Sequence, residues 1–63
     1  MSEELKLAQG YRLRAEALRT LADMDDNRKT SDALKGVAKD YERIVETLEL
    51  IDRTNRSMKR AAV

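Results

Sequence analysis

The sequence predicts an all-α protein: an antiparallel two-helix hairpin that dimerises into a four-helix bundle. Apolar residues recur at alternating steps of three and four along both halves of the chain, which is the spacing of one helix face. A polar segment without any hydrophobic residue separates the halves, and proline is absent throughout. One helical hairpin over residues 1–63, with helix 2 longer than helix 1, accounts for these observations.

The first helix is expected from about residue 3 to about residue 24. Ser2 can cap its N-terminus, and Glu3 and Glu4 in the first turn suit the positive end of the helix dipole. One face carries apolar residues at helical spacing: Leu5, Ala8, Tyr11, Ala15, Leu18 and Ala22, widened by Leu7 and Leu21. This pattern predicts an amphipathic helix of about six turns.

The turn is expected within residues 25–30, where every residue is polar. Two starts of the second helix are open. Asp25 or Asp26 caps an early start at about residue 27, whereas Thr30 or Ser31 caps a later one. We favour the early start, because connections of about two to five residues are common in antiparallel helical hairpins.

The second helix is expected from about residue 27 to about residue 59. It carries an apolar ladder that repeats every seven residues: Leu34, Val37, Tyr41, Ile44, Leu48, Ile51, Asn55, Met58 and Ala62. Such a coiled-coil seam has to be covered by another helix. Up to Ile51 the ladder is widened by Ala38 and Val45 and is expected to face helix 1, with Tyr11 near Tyr41. Folding the chain back about residue 26 leaves residues from about Asp52 onward without an intramolecular partner.

The small size of the chain makes self-association the leading expectation. A chain of 63 residues buries only about 60% of the surface that its unfolded form exposes. Without cysteine there is no disulfide, and without cysteine or histidine a structural zinc site is not expected. We therefore expect a homodimer, with the direction of chain pairing open. The residues expected to mediate self-association are Leu5, Tyr11, Leu18, Leu34, Val37, Tyr41, Ile44, Val45, Leu48 and Ile51.

Positive charge collects at the end of the second helix, where residues 53–63 carry four basic residues and no acid. These residues either contact the phosphates of a nucleic acid or stabilise the negative end of the helix dipole, and we favour the second interpretation. Asn55 either specifies register in a buried seam or is solvated. The narrow seam is also a candidate dock for a heterologous helix. Candidate contacts for such a partner are Arg53, Asn55, Arg56, Met58, Lys59 and Arg60.

The composition argues against an enzyme. Histidine and cysteine are absent, which removes Ser/His and Cys/His nucleophile pairs and the usual metal site of helix bundles. Carboxylates such as Glu42, Glu49 and Asp52 are expected on solvated flanks of helix 2. We expect no catalytic residue, cofactor, metal ion or small-molecule substrate. No apolar run approaches a membrane span, and the first ten residues lack the order of a signal peptide, so we expect a cytoplasmic protein without a membrane partner.

Two stretches carry a family resemblance: residues 11–19 read YRLRAEALR, and residues 37–44 read VAKDYERI. They resemble a group of short proteins of unknown function, mainly from alphaproteobacteria, that pair a "YR..AE.LR" first helix with an "A.DYER" second helix. The resemblance covers about residues 8–48 and implies a helical hairpin but no activity. Proteins of that group often carry a proline near the turn, which this chain lacks. We predict a small non-enzymatic interaction or regulatory module that self-associates through apolar heptad seams.

Overall fold

The protein folds as two antiparallel α-helices joined by a three-residue turn. The computed structural model describes the backbone of residues 2–61 and the side chains of residues 2–59. Helix α1 spans Glu3–Met24, the segment predicted for it, and helix α2 spans Arg28–Ala61, one residue after the predicted early start. The hairpin measures 56 × 16 × 10 Å between Cα atoms. Ala62 and the side chain of Arg60 lie outside the described residues.

Short-range hydrogen bonds set the first residue of each helix and shape the turn. Ser2 caps α1, because its Oγ accepts the backbone N–H of Leu5 at 3.1 Å. Asn27 caps α2, because its Oδ1 accepts the N–H of Thr30 at 3.2 Å. Asp25, one of the two caps predicted for the early start, instead accepts the N–H of Asn27 at 2.8 Å. The polar segment therefore folds on itself, and the later start of α2 is excluded.

The contact between the helices is a line of small side chains on each helix. The buried residues, all at most 4% exposed, follow each other at intervals of seven: Ala8, Ala15 and Ala22 on α1, and Ala38, Val45 and Asp52 on α2. Ser31 extends the line on α2 and donates its hydroxyl to the carbonyl oxygen of Ala22 at 2.8 Å. Helix axes approach closely where the contacting side chains are small. The hairpin core is therefore thin, and none of the described large side chains is fully buried in it.

The apolar ladder predicted as the seam of α2 lies beside this contact and not within it. The residues buried against α1 are Ala38 and Val45, each one position after the exposed ladder residues Val37 and Ile44. The expectation that the ladder faces α1 is confirmed for Tyr41, which stacks on Tyr11, and Leu34 and Leu48 are half-buried beside the contact. It is wrong for the exposed row of Val37, Ile44 and Ile51. The physical reason is that two helices pack most closely through their smallest residues, which rotates the larger ladder residues to one side. Val45, predicted to mediate self-association, is buried against α1 of its own chain.

The far end of α2 also differs from the expectation. Residues from about Asp52 onward were expected to lack a partner in the chain, and Asp52 was expected on a solvated flank; both expectations are wrong. Asp52 is only 3% exposed, and the side-chain amide of Asn55 donates to Glu4 Oε1 at 3.3 Å. The unpaired overhang is shorter than expected, because side chains on antiparallel helices lean toward opposite ends and bridge residues at different levels.

We expect Ala15→Leu to lower the free energy of unfolding by about 1–3 kcal/mol, because the larger side chain has no room at the centre of the helix contact. Urea unfolding followed by circular dichroism measures this change. Ala17→Leu, at an exposed position of the same helix, is the matched control and is expected to stay within about 0.5 kcal/mol of the parent. Equal stability of the two variants would contradict the alanine contact.

Candidate interaction surface

The two long sides of the hairpin differ in chemistry. Side chains three or four residues from the buried lines flank the helix contact on either side. One side, here named the apolar face, carries Leu7, Tyr11, Leu18 and Leu21 of α1 and Leu34, Val37, Tyr41, Ile44, Leu48, Ile51 and Met58 of α2. The other side, here named the charged face, carries Arg12, Glu16, Arg19, Lys35, Lys39, Glu42, Glu46, Glu49, Arg53 and Arg56.

A pair of tyrosines closes the helix contact on the apolar face. The rings of Tyr11 and Tyr41 stack with centroids 5.5 Å apart and planes inclined by 26°, which confirms that these residues are neighbours. Offset aromatic pairs contribute about 0.5–1.5 kcal/mol beyond the burial of their area. The guanidinium of Arg14 lies 5.2 Å from the Tyr11 ring centroid, within the range of a cation–π contact. The tyrosine pair therefore fixes which residues of the two helices share this side.

The apolar face remains open to solvent along most of its length. Its outer residues are 40–64% exposed: Leu7, Leu21, Val37, Ile44, Ile51 and Met58. On α2 the face runs from Leu34 to Met58, which is about 36 Å at roughly 1.5 Å per residue. Asn55, hydrogen-bonded to Glu4, interrupts the face between Ile51 and Met58. Single exposed apolar residues are ordinary on protein surfaces, but an apolar strip of this length is typical of an interaction site.

Most residues predicted for self-association lie on the apolar face, with two exceptions. Val45 is buried between the helices, and Leu5 lies on the opposite flank, in the same seven-residue line as Arg12 and Arg19. Leu7 and Leu21 were missing from the predicted set, although each directly precedes a buried alanine and widens the apolar stripe of α1. Their exposure could be assigned only after the alanine line was known to face α2.

Ion pairs connect the two helices on the charged face. Arg19 donates through Nε and Nη2 to the two carboxylate oxygens of Glu42, at 3.1 and 2.6 Å. Arg12 Nη2 donates to Glu49 Oε2 at 2.9 Å. The hydrogen bonds from Arg19 lower the pKa of Glu42 against the opposing effect of desolvation, and the same contact raises the pKa of Arg19. This side of the hairpin is therefore matched in charge and adapted to water.

The open end of the hairpin, where α1 begins, combines opposite charges. Arg56 Nη2 lies 2.7 Å from the buried Asp52 Oδ2, a close charge pair whose geometry is not that of a hydrogen bond. A surface groove of about 530 Å³ follows this end and is lined in part by Leu5, Asp52, Met58 and Lys59. Of the predicted partner contacts, Asn55 and Arg56 are engaged within the chain. Met58 belongs to the apolar face, and Arg53 and Lys59 are exposed.

Two properties of the described residues concern metal ions and membranes. Within residues 2–59, no three side chains of His, Cys, Asp or Glu gather closely enough to hold a metal ion. Over their described lengths, neither α1 nor α2 combines the length and the apolar character needed to cross a membrane.

We expect Glu42→Gln to weaken the hairpin at neutral pH and to lose this effect in acid. Because the pKa of Glu42 is lowered in the folded chain, its contribution is present above the ordinary glutamate value of about 4.3. That contribution disappears as the pH falls through the lower folded pKa. Urea midpoints of the parent and the variant should differ at about pH 7 and converge at about pH 2.5. Glu46→Gln, on the same face, is the control, and a difference that does not depend on pH would contradict the ion pair.

Comparison with protein-family models, with curated proteins and with solved structures finds no match to this chain. The resemblance to short alphaproteobacterial helical-hairpin proteins stays a prediction. The proposed function therefore rests on the geometry of the apolar face.

Proposed function

We propose that the protein is a small helix-pairing interaction module that works as a homodimer. The apolar faces of two copies pack against each other and form a four-helix bundle. The observation that carries this proposal is the apolar face itself, whose outer side chains are 40–64% exposed over most of the length of the hairpin.

The solvent-accessible surface area of the hairpin supports permanent association with a partner. A compact monomer of 7.2 kDa exposes about 4,100 Å² by the general scaling of area with mass. The hairpin exposes 5184 Å², which is an excess on the order of 1,000 Å². A standard protein interface buries about 800 Å² on each partner. An interface of standard size would therefore remove an area close to the excess.

A second copy fits this surface better than an unlike partner. Its face has the same length, the same width of two helices and the same apolar character, so a two-fold interface matches it without further adaptation. The charged face then lies outside, where Arg12–Glu49 and Arg19–Glu42 remain in water. The bundle buries the side of the hairpin that is rich in Leu, Ile, Val and Tyr, and exposes the side that is rich in Arg and Glu.

The alternative of nucleic-acid binding through the basic end of α2 has weaker support. Arg56 is exposed but already paired with Asp52, which leaves Arg53 and Lys59 as the cations of that end outside an ion pair among the described side chains. Affinity for phosphates grows with the number of cations that contact them, so one helix end in which a cation is already paired gives a shallow salt dependence.

We expect light scattering after size exclusion to give a mass near 14.4 kDa, twice the chain mass of 7.2 kDa, at about 50 µM protein. Ile44→Glu places a charge at the centre of the apolar face and is expected to give a monomer of lower helicity, because an unpaired charge buried in the interface is strongly unfavourable and the hairpin loses the cover of its partner.

Leu50→Glu is the matched control for Ile44→Glu. Leu50 is on the same helix and is 57% exposed, but it points away from the apolar face, so the variant should remain a dimer. A parent mass of 7.2 kDa with high helicity would contradict the proposal. Disruption by Leu50→Glu but not by Ile44→Glu would place the interface elsewhere, and a heavier complex with a different protein would favour a heterologous partner.

A further inference from the structure

We infer that the two copies pack with their turns at the same end of the bundle, so that α1 of each copy lies against α2 of the other. This inference rests on the proposed homodimer and concerns its direction. The competing arrangement puts the turns at opposite ends, with α1 against α1 and α2 against α2. Both arrangements join the apolar faces, but they bring different residues together.

The contacts within the hairpin give the level of each residue along the bundle. Ala22 bonds to Ser31, and Tyr11 stacks on Tyr41, so the two residue numbers add to 53 in the first pair and to 52 in the second. The long side chains of Arg12–Glu49 and Arg19–Glu42 join residues that add to 61, because side chains lean along antiparallel helices in opposite directions, so the contact next to the backbone gives the level. By this relation Leu7 lies level with about residue 46 of α2, and residue 21 lies level with about residue 32. The apolar residues of α1 therefore cover only the first part of the face, which continues on α2 to Met58.

With the turns at the same end, every residue keeps its level and each α1 meets α2 of the other copy. Leu21 then packs near the partner's Leu34, and Leu7 packs near the partner's Ile44 and the partner's Leu48. The apolar residues of α1 all meet apolar residues of α2. Ile51 is level with about residue 2 and Met58 lies beyond the start of α1, so these two residues face only their own counterparts across the two-fold axis.

With the turns at opposite ends, the register that centres the apolar residues of one helix displaces those of the other. In one register, the apolar segments of the two α1 helices lie side by side, so that Leu7 meets the partner's Leu21. Arg14 then meets its own counterpart, and Ile51 falls beside the partner's turn. If the α2 segments are centred on Ile44, Leu21 falls beyond the start of the partner's α1 and stays exposed. One register opposes like charges, and the other leaves a large apolar residue uncovered.

Arg14 adds a charge argument for the same direction. It stands midway between Leu7 and Leu21 in the outer line of the apolar face on α1, and its guanidinium lies over the Tyr11 ring. Its level is about residue 39 of α2. Asp40, exposed on the outer edge of α2, is at that level, so Arg14 is placed beside the partner's Asp40. Opposite charges at one level of an interface favour this direction over one that opposes two arginines.

Spin labels test the direction, because the chain contains no cysteine and single cysteines can be introduced without competing sites. Asp26→Cys carries a nitroxide in the turn, and Ser57→Cys carries one near the other end of α2; both positions are exposed. Light scattering first gives the mass of each labelled protein. Double electron–electron resonance then measures the distance between the two labels of a dimer.

Turns at the same end predict short distances for both variants, about 15–30 Å, which is the separation of neighbouring helices plus the label arms. Turns at opposite ends predict about 40 Å or more for both, since the hairpin is 56 Å long. Long distances in a protein of dimer mass would overturn the inferred direction but leave self-association standing. A monomer mass without dipolar modulation would overturn the proposed homodimer and the direction together.

Discussion

The close contact between two lines of small residues is the constraint on which the rest of this structure depends. Ala8, Ala15 and Ala22 meet a line on α2 that contains Ala38 and Val45, and this contact fixes the rotation of both helices. Once the smallest residues occupy the centre, the larger ones are displaced to the flanks. The apolar face and the charged face are both consequences of that single packing choice.

Because of this packing, the hairpin can form while most of its large apolar side chains stay exposed. In most small domains the largest apolar side chains form the core, but here they surround a core of alanine and valine. The tyrosine stack and the ion pairs hold the helices together from either side without covering the outer row of leucine, isoleucine and valine. In the account proposed here, that row is covered by association, so stability and oligomeric state are one property.

Local features of the fold could be predicted from the sequence, and the rotation of the helices could not. The cap at Ser2, the polar turn and the proximity of Tyr11 to Tyr41 follow from short-range chemistry and from folding the chain back on itself. The seven-residue spacing, however, is shared by the ladder and by the Ala38 line beside it. Spacing gives the width of the apolar arc, and only packing decides which part of the arc meets α1.

Asp52 illustrates the second limit of sequence reasoning. A charged residue next to a narrowing apolar stripe was assigned to the solvated flank, and yet it continues the buried line of Ala38 and Val45 at 3% exposure. Its partner Arg56, one helical turn onward, was recognisable as a favourable neighbour, because pairs four residues apart share a helix face. The burial follows from the rotation of α2, which turns the line of Ala38, Val45 and Asp52 toward α1 and which the spacing alone does not fix.

The dependence of thermal unfolding on protein concentration tests the central claim most directly. If the hairpin is stable because a second copy covers its apolar face, a hundredfold rise from about 1 to about 100 µM adds about 2.7 kcal/mol of stability. The Tm followed by far-ultraviolet circular dichroism should then rise by roughly 10 °C. An identical Tm at both concentrations, in a protein of high helicity, would show that the alanine contact alone sustains the fold and would contradict the account.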